Sequence, residues 1–315
     1  MSKKIIAVAG ATGAQGGGLV RAILEDRASE FAVRALTRKT DSEKAKELAN
    51  LGADVVAANF DSVADLKKAF DGAYGAYLVT NFWEHFSPAK EQAQAQSMAQ
   101  AAKDARLEHV LWSTLEDTRI RIPLSDPRMP TLQEKYKVPH MDAKGEANKF
   151  FKDLGVPTTF FHTSFYWENL IYFGMGPKKD PDGKLVFTLP MADKKLPGIA
   201  VADIGKCAYG VFKRGAEYIG KSVGVAGEHL TGTQMAAELG KALGQDVVYN
   251  AVTAEAYRGL GFPGAEDLGN MFQYKAEFEM EFCGARDLGV SRALNPALQT
   301  FGQWLTANKG SIPRS

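Results

Sequence analysis

Three glycines spaced three residues apart stand near the start of the chain, in the segment GATGAQG at residues 10–16. Glycines at this spacing let the backbone turn sharply from a strand into a helix and approach a pyrophosphate, whose charge is met by amide N–H groups and the positive helix end. The segment also fits a tight turn without a ligand, so its position in the chain decides between the two interpretations. The residues predicted to bind phosphate are Gly10, Thr12, Gly13, Ala14, Gln15 and Gly16.

A basic pair, Arg38 and Lys39, follows the second predicted strand. A site for NAD normally has an acidic residue at this point for the ribose hydroxyls, but Asp41 comes only after the pair. An arginine matches the geometry of a 2′-phosphate and can also stack on adenine. The sequence therefore predicts NADP(H) rather than NAD(H), with a merely solvated loop as the alternative interpretation.

Two further loops are expected to border the nucleotide, because they follow the third and fourth predicted strands. Asp61, in the segment NFDS, is placed to meet the adenine edge, although it could equally be the N-cap of the next helix. Thr80, Asn81 and Phe82 are expected to run beside the ribose and pyrophosphate, or else to form an ordinary loop. Both loops are therefore included in the predicted cofactor site.

Alternating strands and helices are predicted to position these residues. The predicted strands cover residues 4–9, 31–36, 53–57, 75–79, 109–112 and 158–162, and the predicted helices cover 16–27, 42–51, 63–70, 88–106 and 141–154. Parallel strands need a crossover helix packed on one face of the sheet. The pattern therefore predicts an α/β fold with a doubly wound parallel sheet.

The regular alternation weakens after residue 162. A turn-rich basic segment, PKKDPDGK at 177–184, and a GFPG segment at 261–264 interrupt the second half. We therefore expect a nucleotide-binding domain over 1–162 and a smaller C-terminal α+β lobe over 163–315, some of whose segments return to the large sheet. A cleft is expected between them, at the carboxyl ends of the strands.

The composition excludes several classes of protein. A chain of 315 residues with 45% hydrophobic and 24% charged residues is neither fibrous nor disordered, and its net charge of +1 gives no bulk attraction to DNA, RNA or anionic lipid. Cys207 and Cys283 are far apart, so no disulfide framework or metal site is expected, and a cytoplasmic location fits best. Glycines interrupt the apolar N-terminal run, so neither a signal peptide nor a membrane span is expected.

Four segments resemble the NmrA-like family of atypical short-chain dehydrogenase/reductases, and the resemblance covers nearly the whole chain. The segments are VAGATGAQGGGLVRAIL, TRK, LWSTLED and HMDAKGEANKFFKDLGVPTTFFHTSFYWENL, at residues 8–24, 37–39, 111–117 and 140–170. This resemblance implies a Rossmann-type lobe that binds NADP(H) and a small C-terminal lobe. Several members of the family lack demonstrated turnover and act as redox or nucleotide sensors that bind transcription regulators or other partners.

The same resemblance identifies the candidate catalytic residues. Short-chain dehydrogenases use a Tyr and a Lys one helical turn apart, and the corresponding positions here are His140 and Lys144. Lys144 fits the role of holding the nicotinamide ribose. His140 could donate a proton, although a single histidine near a helix start is more often a surface or capping residue. Tyr136 cannot be assumed to replace the missing Tyr, because Pro139 lies between it and the helix.

Other side chains are expected near the reacting end of the cofactor. Ser113 and Thr114 stand where a substrate-orienting hydroxyl belongs in the superfamily, or they close the strand end by bonding to nearby backbone. Phe165 is expected to form a wall of the nicotinamide pocket. It belongs to an aromatic run, residues 160–167, that otherwise reads as hydrophobic core.

The sequence favours an NADP(H)-binding redox or nucleotide sensor with a regulatory protein partner, because the catalytic Tyr is missing. The alternative is an NADPH-dependent reductase of a small carbonyl, quinone-like or aromatic substrate, which the aromatic run supports. A homodimer is compatible with either. Direct nucleic-acid binding is not expected, because the chain has no recognisable recognition helix and little net charge.

Overall fold

The computed structural model describes residues 2–313. The strands are β1 Lys4–Val8, β2 Phe31–Thr37, β3 Asp54–Ala57, β4 Gly75–Leu78, β5 His109–Thr114, β6 Thr158–His162, β7 Phe165–Tyr166, β8 Lys178–Lys179, β9 Leu185–Leu189, β10 Lys195–Ile199, β11 Ser222–Gly224, β12 Glu228–Thr231 and β13 Val247–Ala251. The α-helices are α1 Ala14–Glu25, α2 Glu43–Asn50, α3 Val63–Phe70, α4 Pro88–Asp104, α5 Pro139–Asp153, α6 Asn169–Tyr172, α7 Val201–Lys213, α8 Gly232–Leu243, α9 Ala254–Arg258, α10 Ala265–Glu277, α11 Glu279–Gly284, α12 Leu288–Leu294 and α13 Phe301–Asn308.

A seven-stranded parallel sheet forms the centre of the molecule, in the order β11-β6-β5-β4-β1-β2-β3. All residues of β4 and β5 are buried, as expected of strands that are covered on both faces. The predicted doubly wound α/β fold is therefore confirmed. The strand order reverses between β1 and β4, and this reversal opens a crevice at the carboxyl ends of the two strands.

Helices cover both faces of this sheet. One face packs against α1 and α7 through side chains such as Leu19, Ile23 and Ile204. The other packs against α3, α4 and α5, and buried alanines on α4 bring that helix close to Trp112 and its neighbours on the sheet. The two apolar layers fix the strand ends, and therefore fix the loops that border the crevice.

Serine hydroxyls begin three of these helices. Ser42, Ser62 and Ser87 accept hydrogen bonds from backbone N–H groups in the first turns of α2, α3 and α4. The alternative that Asp61 is the N-cap of α3 is therefore wrong, because the neighbouring Ser62 fills that position. This leaves the Asp61 carboxylate free for a different contact.

The predicted elements of the first half are confirmed, with small shifts in helix starts. Helix α1 begins at Ala14 rather than Gly16, so Ala14 and Gln15 lie in its first turn. Helix α5 begins at Pro139 rather than Met141, because proline at the first helical position has no N–H to leave unpaired. His140 therefore belongs to the first turn of α5.

The second half of the chain builds a smaller part with its own apolar core. Two three-stranded sheets, β12-β10-β7 and β13-β9-β8, pack with helices α8 to α11 and α13 around residues such as Phe165, Trp167, Phe272 and Trp304. Segments of this half also return to the large sheet, where β11 pairs with β6 and α7 packs on α1. Within residues 2–313, no helix is long and apolar enough to cross a membrane.

The contact between α1 and α7 depends on a glycine. A Cβ atom on Gly205 would overlap the backbone of Gly18 and Leu19 in α1. A side chain at this position would therefore push the two helices apart. The absence of that side chain lets α7, from the second half of the chain, pack closely against α1 of the first half.

We expect Gly205→Ala to lower the free energy of unfolding by ~1–3 kcal/mol, because the added methyl group forces the packed helices apart. Urea unfolding followed by circular dichroism measures the change. The matched control is Gly284→Ala at the end of α11, where a Cβ would meet open space; we expect a change within ~0.5 kcal/mol. Equal effects of the two substitutions would contradict the close-packing argument.

Candidate functional site

One continuous cavity of about 2170 Å³ begins at the carboxyl ends of the central strands and extends into the C-terminal part. The predicted site residues that line it are Gly10, Thr12, Gly13, Ala14, Gln15, Gly16, Arg38, Lys39, Asp61, Thr80, Asn81, Phe82, His140, Lys144 and Phe165. The structure thus brings all the predicted residues to a single cavity. Their roles toward a ligand stay predictions.

The phosphate loop joins β1 to α1 in the geometry that the glycine spacing predicts. Gly10 turns the chain with a φ of +62°, a conformation that favours glycine. Gly13 is the N-cap of α1 and offers no side chain to the first-turn amides of this 12-residue helix. Those amides and the positive helix end face the cavity, where a pyrophosphate would complete the cap.

The side chain of Gln15 joins a polar cluster that sequence reasoning did not find. Its carbonyl oxygen accepts hydrogen bonds from the hydroxyls of Ser113, at 2.8 Å, and Tyr77, and its amide donates to the Tyr166 hydroxyl at 2.6 Å. Burial raises the pKa of Tyr166 above its ordinary value, so this phenol stays protonated at neutral pH. The Gln15 side chain is thereby fixed, and Ser113 is committed to it.

Arg38 meets a carboxylate that the sequence analysis did not consider. Its guanidinium donates to the carboxylate of Glu84 at 2.7 Å, and both residues line the cavity. Partial burial tends to raise the pKa of Glu84, but hydrogen bonds from Arg38 and Asn81 and the charge of Arg38 bring it below its usual value. Glu84 therefore holds Arg38 in one orientation before a phosphate binds. The same carboxylate would compete with a phosphate for the guanidinium.

The other predicted adenine contact, Asp61, is also held in place. Its carboxylate accepts a hydrogen bond from the amide of Gln94 on α4, at 2.9 Å. Gln94 lines the cavity as well. The loop after β3 is thereby tied to α4, and the second carboxylate oxygen of Asp61 is left for a donor such as an exocyclic amine.

Lys144 is fixed by a buried ion pair. Its ammonium lies 2.5 Å from the carboxylate of Glu91 on α4, and it also donates to the backbone oxygen of Thr80 at 3.0 Å and to the Thr80 hydroxyl at 2.8 Å. Glu91 is fully buried, and the Lys144 side chain is 11% exposed. An ammonium has three N–H donors, so contact with a ribose requires exchange of one of these partners.

Glu91 was missed because it lies within a helix whose sequence, residues 88–104, otherwise reads as a solvated surface. Its second oxygen has no hydrogen-bond partner within residues 2–313, and the Nε2 atom of His85 lies 3.7 Å from it. Burial lowers the pKa of His85, against the raising effect of Glu91. The neutral imidazole therefore does not cancel the charge of Glu91, and Lys144 is left as its counterion.

His140 is buried rather than exposed, which corrects the alternative interpretation of a surface residue. Its Nδ1 lies 2.6 Å from the carboxylate of Asp267 on α10, and its backbone N–H donates to the same carboxylate at 3.1 Å. The ring of Trp83 packs against the imidazole at 5.0 Å between centroids. Nε2 has no hydrogen-bond partner in the described part of the chain, so this nitrogen is available to a ligand.

Two other hydroxyl candidates have structural partners. Thr114 donates to the backbone oxygen of Lys144 at 3.0 Å, in line with the interpretation that it closes the strand end through backbone. Tyr136 is absent from the cavity wall, and its ring packs against the guanidinium of Arg119 at 5.3 Å. Neither residue is therefore suited to donate a proton in the cavity.

The far end of the cavity is apolar. Phe165 on β7 packs toward Phe272 of α10, with 6.4 Å between ring centroids. Further residues of this end are Tyr257, Phe262, Leu268, Met271 and Phe282. The structure thus places a mainly hydrophobic compartment beyond Lys144 and Phe165, built by helices of the C-terminal part.

We expect Lys144→Ala to lower the free energy of unfolding by ~3–5 kcal/mol, because it leaves the buried Glu91 carboxylate without its counterion. Thermal and urea unfolding measure the effect. In the control, Lys149→Ala on the same helix removes an exposed lysine and should change stability by no more than ~0.5 kcal/mol. A double substitution, Lys144→Met with Glu91→Leu, should restore most of the loss, and a Lys144→Ala variant of unchanged stability would refute the argument.

Comparison with known proteins agrees with this architecture. The family model described as the NmrA-like family matches residues 2–300. The NmrA-like family domain-containing oxidoreductase FrzB of Cladobotryum sp is 26% identical over 291 residues, which cover 86% of this chain and 83% of FrzB.

Two solved structures share the fold. NmrA, a negative transcriptional regulator, superposes with a TM-score of 0.79 at 23% identity, covering 96% of this chain and 95% of its own, and it has been solved with NADP and with NAD. The triphenylmethane reductase of Citrobacter sp., in complex with NADP(H), gives a TM-score of 0.75 at 18% identity, covering 96% and 99%. With a family match across nearly its whole length and the fold that goes with it, the chain belongs to the NmrA-like family.

Proposed function

We propose that this protein is an NADP(H)-dependent oxidoreductase that reduces a small, planar, mainly apolar substrate. The observation that carries the proposal is the continuous cavity, which runs from the phosphate loop past Lys144 and Phe165 into the apolar compartment. Pockets for a single small ligand usually measure about 300–1000 Å³. A cavity of about 2170 Å³ has room for a dinucleotide and a second molecule.

The polar groups are distributed as this reaction requires. The amides of the phosphate loop and the basic pair Arg38 and Lys39 serve the phosphates, and Lys144 serves the nicotinamide ribose after exchanging its bond to Thr80. NADPH, when bound, supplies a hydride for the electrophilic carbon of the substrate. The apolar walls around Phe165 then exclude water from that carbon.

His140 is the proton donor that the geometry favours. The Asp267 carboxylate binds Nδ1, fixes the orientation of the ring, and leaves Nε2 for the substrate. As hydride adds to a carbonyl carbon, the C=O π pair takes the Nε2 proton and yields an alcohol and a neutral imidazole, which a solvent proton restores. The catalytic role lost with the missing Tyr is thereby assigned to a histidine held by a carboxylate.

We expect the wild type to bind NADPH more tightly than NADH, and Arg38→Asp to abolish this preference at a loss of ~1.5–3 kcal/mol for NADPH, since a charge-assisted contact to the 2′-phosphate is removed. Dissociation constants from quenching of protein fluorescence measure both. The matched variant Glu84→Gln frees Arg38 from its carboxylate and should strengthen the preference. A wild type that prefers NADH would contradict the assignment of Arg38.

We expect steady NADPH oxidation with members of a panel of quinones and aromatic aldehydes. His140→Ala should lower kcat by roughly 100-fold or more, the size of a general-acid contribution, while leaving the dissociation constant of NADPH nearly unchanged. Asp267→Asn should lower kcat less than His140→Ala does, because the imidazole stays in place but its Nδ1 loses the carboxylate that orients the ring. A kcat that His140→Ala leaves unchanged would reject His140 as the donor.

A second candidate function is a nucleotide-responsive regulator without turnover. The contacts of Lys144 favour this function. Glu91 and Thr80 engage all three N–H donors of its ammonium, so the lysine already has a structural role that does not depend on catalysis. The fold shared with NmrA, described as a negative transcriptional regulator, is compatible with this role. Absence of NADPH oxidation across the panel, together with NADP(H) binding that alters partner binding, would favour the regulator over the reductase.

A further inference from the structure

Lys275, on the third turn of α10, lies in the wall of the apolar compartment. It is only 6% exposed. Within residues 2–313, the one hydrogen-bond acceptor of its amine is the thioether sulfur of Met271, at 3.2 Å. A thioether is a weak acceptor, so the amine retains unused donors in a region that water reaches poorly.

The surroundings of the amine are aromatic. Its Nζ lies 5.1 Å from the ring centroid of Phe282 and 5.9 Å from that of Phe272, which itself packs toward Phe165. The ring of Phe272 therefore lies between the amine and Phe165, the residue expected beside the nicotinamide. A flat ligand held between these rings would lie next to the amine.

Within residues 2–313, no carboxylate forms an ion pair or hydrogen bond with Lys275. Glu116, whose charge acts on Lys275, is itself bound by Arg286 at 2.6 and 3.1 Å. Burial, reinforced by the charge of Arg286 and opposed by that of Glu116, lowers the pKa of Lys275 to about 7. The cavity wall therefore holds an amine that becomes charged readily when a negative group binds beside it.

We propose that the Lys275 amine is a recognition site for an acidic oxygen of the ligand, a carboxylate, phenolate or enolate on an otherwise apolar planar molecule. The proposal rests on the proposed function, since it identifies the substrate class of the same cavity. An anionic oxygen would take the donors that Met271 leaves free and supply the missing counterion. Ser164 lines the same cavity, and its buried hydroxyl has no hydrogen-bond partner in the described chain.

Burying the Lys275 amine without a counterion costs folding free energy, which favours a functional reason for a lysine at this position. An isolated buried amine is less favourable than an apolar side chain of similar length, so methionine in its place should be neutral or stabilising. Lys275→Met is therefore expected to fold, and a loss of ligand binding in this variant would report the amine itself.

The first test is chemical labelling of the whole protein with formaldehyde and cyanoborohydride, read by peptide mass spectrometry. We expect methylation of Lys275 with a half-maximal rate at a pH near 7. Occupation of the cavity by 2-naphthoate should slow the labelling of Lys275 and not that of Lys149. A Lys275 that stays unlabelled at pH 8 would overturn the proposal, because the amine would not be reachable from the cavity.

The second test compares two probes of similar shape, 2-naphthoate and the neutral 2-nitronaphthalene, by titration calorimetry with NADP present. Wild type should bind 2-naphthoate ~10- to 100-fold more tightly than Lys275→Met does, while the affinity for 2-nitronaphthalene changes much less. Because a bound carboxylate raises the pKa of the amine, the affinity of wild type for 2-naphthoate should weaken as the pH rises above about 7. Failure of wild type to bind 2-naphthoate, or equal binding by wild type and Lys275→Met, would overturn the proposal.

NADPH oxidation is measured separately, so that the two proposals can fail independently. Absence of turnover together with Lys275-dependent binding of 2-naphthoate would contradict the reductase and support the acidic-oxygen site. Turnover of acidic and neutral substrates with the same kcat/KM in wild type and Lys275→Met would support the reductase and contradict this role of Lys275.

Discussion

The buried ion pair between Lys144 and Glu91 organises the site. It connects α5 to α4, and through Thr80 it connects both helices to the end of β4, where the strand order of the large sheet reverses. A charge at this depth is stable only with its partner, so the three elements hold one relative position. That position sets the first turn of α5, and with it the place of His140 at the cavity wall.

The cavity has two ends of different origin. The nucleotide end is made of backbone amides and short loops that follow β1 to β4, and its geometry is a consequence of the parallel sheet. The far end is made of side chains on helices of the C-terminal part, above all α10, which carries Asp267, Met271 and Lys275. Changes on α10 can therefore alter which molecule is accepted without altering the phosphate loop.

Sequence reasoning succeeded where local pattern determines structure. The alternation of apolar runs and helices predicted the sheet, and the glycine spacing predicted the turn before α1, because both depend on neighbours in the chain. It did not find Glu91 or Asp267, whose partners are 53 and 127 residues away. A carboxylate within a helix looks the same in sequence whether it faces water or a buried lysine. Only the packing of α4 on α5 and of α10 on α5 distinguishes the two.

The pairing of β11 with β6 in the large sheet determines how early that sheet can be completed while the chain is being synthesised. Strand β6 ends at residue 162, but its outer edge pairs with β11, which is not synthesised until residues Ser222–Gly224. The glycine-containing face of α1 likewise stays uncovered until α7 has been synthesised. At ordinary rates of synthesis, the edge of β6 remains unpaired on the ribosome for a period on the order of several seconds. An unpaired strand edge is a template for association with other chains. Truncation before residue 224 would make that exposure permanent, so the nucleotide-binding half is not a module that could be exchanged alone between proteins.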